Sequence, residues 1–420
     1  MPRIVLVPFA SPLHGREYYV GLLDLLKKNL EGHDVHVAEV VESVEQAAEV
    51  GKKYRDAFPI AVALTGGTSR AIRRFVEAGA FDRMIIFAHG EHNSLPSAIS
   101  ARAKLEAEGM YVWLYHCPTL HDQSCRLVID EMMSVSYAVA NILSARFALV
   151  GVEEKSDEVS DFENSFGVEV EIVPMDEFAD MISSASDDDV RKFVDDISAR
   201  LGVERSENLE SVGRVYAALK KLFVERKLVG VGIDCFRYIV EKGVAPCLAV
   251  AKLNEEGFVT ACEADVKSLL LMSLSYFLTG SSGWMANASM FRGRKAWFAH
   301  CTASLSLLRN AKALTHFESG KPYAVTGELS SDVFTIASVS SDFSLMAVAL
   351  GRVEASGLLS IAMCRTAAVV DLGIDAEKIP LVAPANHHVF MPGDVRKKLR
   401  AVAELLGIEY AEYRELVEVV

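Results

Sequence analysis

Five short apolar runs recur through the first 145 residues: IVLVPFA (4–10), VHVAEV (35–40), IAVALTG (60–66), MIIFAH (84–89) and YVWLYH (111–116). Between them, stretches such as YVGLLDLLKKNL and SRAIRRFVEAG space their apolar residues as amphipathic helices do. No other feature constrains the fold as strongly. Parallel strands need a crossover of a dozen or more residues, and a helix is the usual filling. Alternation at this interval therefore predicts a doubly wound parallel sheet. The helical stretch DQSCRLVIDEMMSVSYAVANILS leads out of it, which sets a first, Rossmann-like domain at 1–145.

A second α/β domain, also Rossmann-like, is expected over 146–283. It contains the strands ARFALVGVE (145–153) and VEVEIVP (168–174), an acidic helical region from Asp187 to about Leu222, a strand in PCLAVAKLNEEG, and a helix over 266–279. SDDD (186–189) reads as a helix cap that complements the helix dipole. After Gly283 the strand-like runs KAWFAHC, PYAVTGEL, DVFTIASVS and TAAVVDLG follow with few helical intervals. They predict a β-rich, barrel-like C-terminal domain, 284–420, closed by the helix DVRKKLRAVAELLG and a last strand.

A formal net charge of −14 repels phosphate backbones and anionic lipid, so neither nucleic acid nor a membrane is an expected partner. The basic string RKKLR (396–400) reads as one solvated face of a terminal helix. No segment has the roughly 20 uninterrupted apolar residues of a membrane span. The start, MPRIVLVPFASPLHG, reads as a first strand rather than a signal segment. The seven cysteines (117, 125, 235, 247, 262, 301 and 364) are odd in number and mostly sit in apolar runs. That pattern fits reduced thiols in a cytoplasmic protein rather than a disulfide framework.

Chemistry concentrates in a few places. GFVTACEAD reads as a strand on which Val259, Ala261, Glu263 and Asp265 share a face. Asp265 immediately precedes a helix and is expected to cap it. Glu263 lies at the carboxyl end of a strand, where α/β sheets bind ligands, and is either that or an ordinary surface acid. His300 ends the strand KAWFAHC, and His387 and His388 sit in the loop-like APANHHVFMPGD. Were they in a strand, only one of the two could face a given site. A carboxylate with one or two imidazoles suits Mn²⁺, Fe²⁺ or Zn²⁺. Thr65, Gly66 and Gly67 in ALTGGTSR form a turn before a helix N-terminus, either an anion or sugar subsite or a plain tight turn. His89, His92 and Asn93, with Glu91, follow the next strand, where hydroxyl recognition and simple loop solvation are both open. His116, Cys117, His121 and Cys125 match no zinc-finger spacing, so no structural zinc is expected there.

In order, the strings CLAVAKLNEEGFVTACEADVKSLLLMSLSYFLTG, WMAN, AHC, HFESG and NHHVFMPGD resemble the L-fucose/L-arabinose isomerase superfamily, and within it the fucose-isomerase-like proteins. The similarity runs from about Cys235 to Asp394. It implies two Rossmann-like domains and a β-rich third, a homo-oligomer with its site near a subunit boundary, and a divalent metal, usually manganese. The implied activity is an intramolecular oxidoreduction that interconverts a small aldose and ketose through an ene-diol. By motif, Glu263 matches the first acidic ligand and base, His387 or His388 the late histidine, and His300 a histidine that some members use. Asn287 stands where the family has its second acid, as a weak ligand or hydroxyl contact. An amide can lend an oxygen to a metal but is no general base at neutral pH. The alternative reading is therefore a carbohydrate- or polyol-binding protein, or a divergent enzyme, that does not isomerise.

Overall fold

The computed structural model describes residues 4–420. They form two compact units, one comprising the chain up to Ser144 with Lys398–Gly407, the other Ala145–Lys397 with Ile408–Val420. In the first unit the apolar runs become five parallel strands: β1 (Ile4–Phe9), β2 (His36–Val37), β3 (Phe58–Ala63), β4 (Arg83–His89) and β5 (Tyr111–Cys117). Their order is β2-β1-β3-β4-β5. Every residue of β1 and β3 is buried, as in a parallel sheet with both faces covered. VHVAEV contributes only the two residues of β2, an edge strand paired on one side.

β5 leads through a short turn to the helix Gln123–Leu143, which Asp122 caps through Ser124 N–H at 2.7 Å. The first turn of that helix brings Cys125 back to the strand end, where it is disulfide-bonded to Cys117. The expectation of seven reduced thiols thus fails at this pair. Folding, rather than spacing along the chain, sets the two sulfurs side by side. His116 and His121, the remaining members of that four-residue set, are exposed.

The second unit begins with four parallel strands, β6 (Arg146–Val150), β7 (Glu169–Val173), β8 (Gly230–Ile233) and β9 (Val259–Cys262), in the order β7-β6-β8-β9. The acidic region forms two helices, Asp187–Leu201 and Glu207–Arg226, with Ser186 capping the first as SDDD implies. PCLAVAKLNEEG is not a strand but the helix Cys247–Glu255. A short run that is apolar on all sides looks alike in a buried helix and a buried strand. The neighbouring strand is β8, four residues that include two glycines.

The chain then builds β10 (Trp284–Arg292), β11 (Lys295–His300), β12 (Leu308–Thr315), β13 (Pro322–Leu329), β14 (Val333–Val339), β15 (Leu345–Gly357), β16 (Thr366–Asp371), β17 (His387–Pro392) and β18 (Glu409–Glu412). Six of these close into an antiparallel barrel, β14-β17-β10-β11-β16-β15, with β15 returning to β14. β18 joins β15 in parallel, and β12 with β13 forms a separate hairpin. Trp284, Phe298 and Phe334 pack around Phe390 in the barrel core, with ring centroids 4.9–5.7 Å from it. Among the described residues no helix is long and apolar enough to cross a membrane.

Candidate metal centre

β9 stops at Cys262. Glu263 and Ala264 then take left-handed backbone, φ 58° and 49°. That conformation costs an L-residue about 1–2 kcal/mol, so two in succession need support from their surroundings. Ala264 N–H donates to Ile233 O at 3.0 Å, and Asp265 N–H to Cys262 O at 3.2 Å. Gly232 leaves room: a Cβ there would meet Leu149 Cδ2 at 2.6 Å and the Ala264 Cα at 3.2 Å. The expected strand through Asp265 is therefore two residues of turn, which lifts Glu263 off the strand end. Asp265 caps the buried helix Val266–Thr279, as expected, accepting from Lys267 N–H at 2.9 Å and Ser268 N–H at 3.2 Å.

The barrel supplies the opposing side chains. NHHVFMP is a strand rather than a loop, and its two histidines point apart. His387 pairs in register with Asn287 on β10, while His300 ends β11. Nε2 of His387 lies 3.7 Å from Glu263 Oε2, and Nε2 of His300 lies 3.5 Å from Glu263 Oε1. One ligand atom from each of the three side chains falls within 4.8 Å of the others. His387 Nδ1 donates to Asp265 Oδ2 at 2.7 Å. Asp265 thus does more than cap: a carboxylate behind an imidazole fixes the ring and the tautomer that leaves the far nitrogen free to bind a metal. That far nitrogen, His387 Nε2, is buried without a hydrogen-bond partner, as is His300 Nδ1. Buried polar atoms are rarely left so. The donor set of one carboxylate and two imidazoles fits a divalent transition metal.

His388 is not a ligand. Its Nε2 lies 2.7 Å from the Tyr413 hydroxyl and its Nδ1 3.1 Å from Asn386 O. Burial pushes its pKa down to about 4, so it is a neutral core residue. Asn287 lines the same cavity as Glu263 and His300, with its Oδ1 accepting from Asn386 Nδ2 at 2.8 Å. Burial acts to raise the Glu263 carboxyl, but the His300 hydrogen bond and the two imidazoles outweigh it and hold the group below its ordinary value. Asp265 is held much lower: burial is outweighed by His387, Lys267 and Ser268. Both acids are anions beside the imidazoles.

The other cavity walls did not register in the sequence. All five free cysteines, Cys235, Cys247, Cys262, Cys301 and Cys364, line it, along with His316 and Glu318. HFESG carries the last two, but their role as lining required the hairpin of β12 and β13 to be folded. Cys364 packs against the buried cluster that contains Cys247 and Cys301. Cys364, and then His316, hold the Cys301 thiol below its ordinary value against burial, while Cys301 and burial push the Cys364 thiol up.

The candidates in the first unit gather at the carboxyl ends of β3 and β4. Gly66 N–H donates to His92 O at 2.8 Å, and a Cβ on Gly66 would meet Asn93 Cβ at 2.7 Å. Thr65 is buried and accepts Ser11 N–H at 2.8 Å. His89 is buried with Nε2 donating to Leu64 O at 3.0 Å and Nδ1 accepting Glu91 N–H at 3.2 Å. His92 packs on Tyr18, ring centroids 3.6 Å apart. At the start of the helix Ser69–Gly79, Ser97 Oγ accepts from Thr68 N–H at 3.0 Å and Ser69 N–H at 3.1 Å, so these two donors are already taken. Thr65 and His89 are thus engaged in holding these loops together.

No family model matches the chain, and no curated protein matches it in sequence. The chemistry on offer is consequently that of the side chains themselves. A metal held by Glu263, His300 and His387 would adjoin a small cavity lined by Asn287 and the five thiols.

Proposed function

We propose that the protein is a metal-dependent isomerase of a small sugar, related to the fucose-isomerase-like proteins, with Glu263, His300 and His387 holding a divalent ion such as Mn²⁺. The observation that carries this reading is the Asp265–His387–Glu263 relay, with an unpartnered imidazole nitrogen aimed at the carboxylate. Both parallel sheets are doubly wound, in the flavodoxin-like order 2-1-3-4 rather than the Rossmann order, which agrees with the kinship at the level of paired α/β domains. A homo-oligomer with the site near a subunit boundary, in the cytoplasm, belongs to the same proposal.

When bound, the ion supplies Lewis-acid stabilisation of the oxygens on two adjacent sugar carbons. Glu263, ionised and half-buried, accepts the proton from the carbon beside the carbonyl and returns it to the neighbouring carbon. Asp265 keeps the His387 ring turned to the site, and Asn287 offers a hydroxyl contact. Exchange of the sugar's C2 proton into D₂O, followed by NMR with Mn²⁺ present, tests the reading. Glu263→Gln should slow that exchange at least about a hundredfold. Full activity after chelation overturns the metal's part.

One observation favours a second reading, binding without isomerisation: the second acid is absent, and Asn287 Oδ1 is already engaged by Asn386. A thermal-shift panel of sugars and polyols, with and without Mn²⁺, separates the two. Stabilisation without metal dependence or isomer formation selects the binding protein.

A further inference from the structure

The barrel wall has a gap along one edge of β15. β14 covers the other edge from Met346 to Arg352. On the gapped edge β18 pairs only as far as Val348, and β16 joins only from Arg352. Ala349, Leu350 and Gly351 lie between, and a cavity of about 320 Å³ opens beside them, with the buried Val348 and Leu372 in its lining. It is not the metal centre: Asp371 on its rim pairs with Lys295 at the start of β11, and His300 ends that strand about 17 Å further on. Four arginines line the cavity, Arg294, Arg352, Arg396 and Arg414, against two acids, Asp371 and Glu412, in a chain whose net charge is −14. They converge from four places: the turn between β10 and β11, β15, the first residue of the helix Arg396–Leu406 and the second of the helix Tyr413–Val419. A charge run on one solvated face does not produce that convergence. Both acids are already matched, Asp371 by Arg294 at 3.1 Å and Glu412 by Arg396 at 3.3 Å, and Arg396 is also paired with Asp394 at 2.9 Å. Among the described residues, the side chains of Arg352 and Arg414 have neither an ion pair nor a hydrogen bond. Backbone bonds hold the rim in place: Leu372 N–H donates to Arg294 O at 3.0 Å, and Gly373 N–H to Asp371 Oδ1 at 2.8 Å.

We propose that this cavity is a binding site for a small phosphate monoester, a second site that does not depend on the metal centre. A guanidinium presents its N–H groups as a planar fork that engages two phosphate oxygens at once. The two unmatched charges, Arg352 and Arg414, equal the charge of a phosphate monoester above its second pKa of about 6. Arg294 and Arg396, each tied to an acid, wall the site and add donors at fixed positions. The cavity offers more room than a bare phosphate fills, and its volume is at the small end of the roughly 300–1,000 Å³ that small-molecule pockets span. Val348 and Leu372 suit the organic part of the ester. Without an anion the arginines repel one another across the cavity; with one bound, that repulsion becomes attraction.

Titration calorimetry of the whole chain tests this, in metal-free buffer without phosphate, at about pH 8 and fixed ionic strength. The probes are phenyl phosphate, a dianion there, benzenesulfonate, a monoanion of the same body, and inorganic phosphate. Phenyl phosphate should saturate a single site and bind at least about tenfold more tightly than benzenesulfonate. Inorganic phosphate should bind more weakly than the ester, and equal affinity overturns the assignment to an ester. Arg352→Gln and Arg414→Gln should each weaken phenyl phosphate by about tenfold or more. Arg352→Lys should recover only part of the loss, because an ammonium keeps the charge without the fork. Arg191→Gln, which removes an exposed arginine on another helix, should leave the affinity unchanged. Should the Arg352 variants disturb the barrel, Arg414→Gln decides, since that residue is exposed on a helix. No saturable binding, equal affinity for the sulfonate and the phosphate ester, or an affinity for phenyl phosphate that survives both glutamine substitutions overturns the proposal.

Discussion

Asp265 divides its two oxygens between two tasks. Oδ1 accepts the backbone N–H groups of the following helix, and Oδ2 accepts from His387 Nδ1 at 2.7 Å and Ser268 Oγ at 2.9 Å. Substitution can separate the tasks. Asparagine is as good a cap as aspartate but carries no charge to orient and polarise an imidazole. Asp265→Asn should keep the melting temperature close to wild type and weaken Mn²⁺ binding about 10–100-fold. Asp265→Ala should do both kinds of damage, losing a further 0.5–2 kcal/mol or so of stability in urea unfolding. Equal Mn²⁺ affinity in wild type and Asp265→Asn would show that the aspartate is a cap and no more. From sequence the capping half of this role is legible, because an acid before an apolar helix has a local partner. The other half is not, because His387 lies 122 residues away and its approach depends on barrel closure.

At the scale of elements, two turns set the side chains. The left-handed pair Glu263–Ala264 leans on Gly232 of β8, whose missing Cβ admits the Ala264 backbone. Gly232→Ala should cost about 1–3 kcal/mol by overpacking against Leu149 and should weaken Mn²⁺ binding as the Glu263 turn shifts. Titration calorimetry alongside urea unfolding reads both, and a variant that loses stability with unchanged affinity would uncouple the turn from the site. In the other turn, His89 is wired as a neutral ring, donating from Nε2 to Leu64 O and accepting at Nδ1 from Glu91 N–H. Burial is the largest influence on it and lowers its pKa below the ordinary 6.5. The unfolded chain therefore binds this proton more readily than the folded one. Stability should be full above about pH 6.5 and fall as the pH drops below it. His89→Gln should flatten that part of the curve of melting temperature against pH. An unchanged slope would assign the loss to other groups.

For the molecule as a whole, what could be read from sequence follows the range of the interactions. The parallel sheet of the first unit announced itself because short apolar runs alternate at regular intervals with amphipathic helical stretches. The helix Cys247–Glu255 and strand β8 did not, since a uniformly apolar run and a four-residue strand with two glycines have no period to read. The barrel was visible as strand-rich texture, but β17 was hidden inside NHHVFMP, and only its pairing with β10 and β14 turns His388 into the barrel core, onto Tyr413, and His387 out of it toward Asp265. The three candidate ligands consequently join elements far apart in the chain: the turn after β9, the end of β11 and the start of β17. An ion bound there should stabilise the second unit as a linkage effect, by about 2.7 kcal/mol when free Mn²⁺ is a hundred times its Kd. Unfolding monitored with graded Mn²⁺ should give a midpoint that rises with the logarithm of metal concentration and returns to its starting value with a chelator. Glu263→Gln and His387→Gln should each abolish the dependence, whereas His388→Gln, though destabilising through the lost Tyr413 bond, should retain it. A metal-dependent midpoint that survives both ligand variants would place the ion elsewhere in the chain.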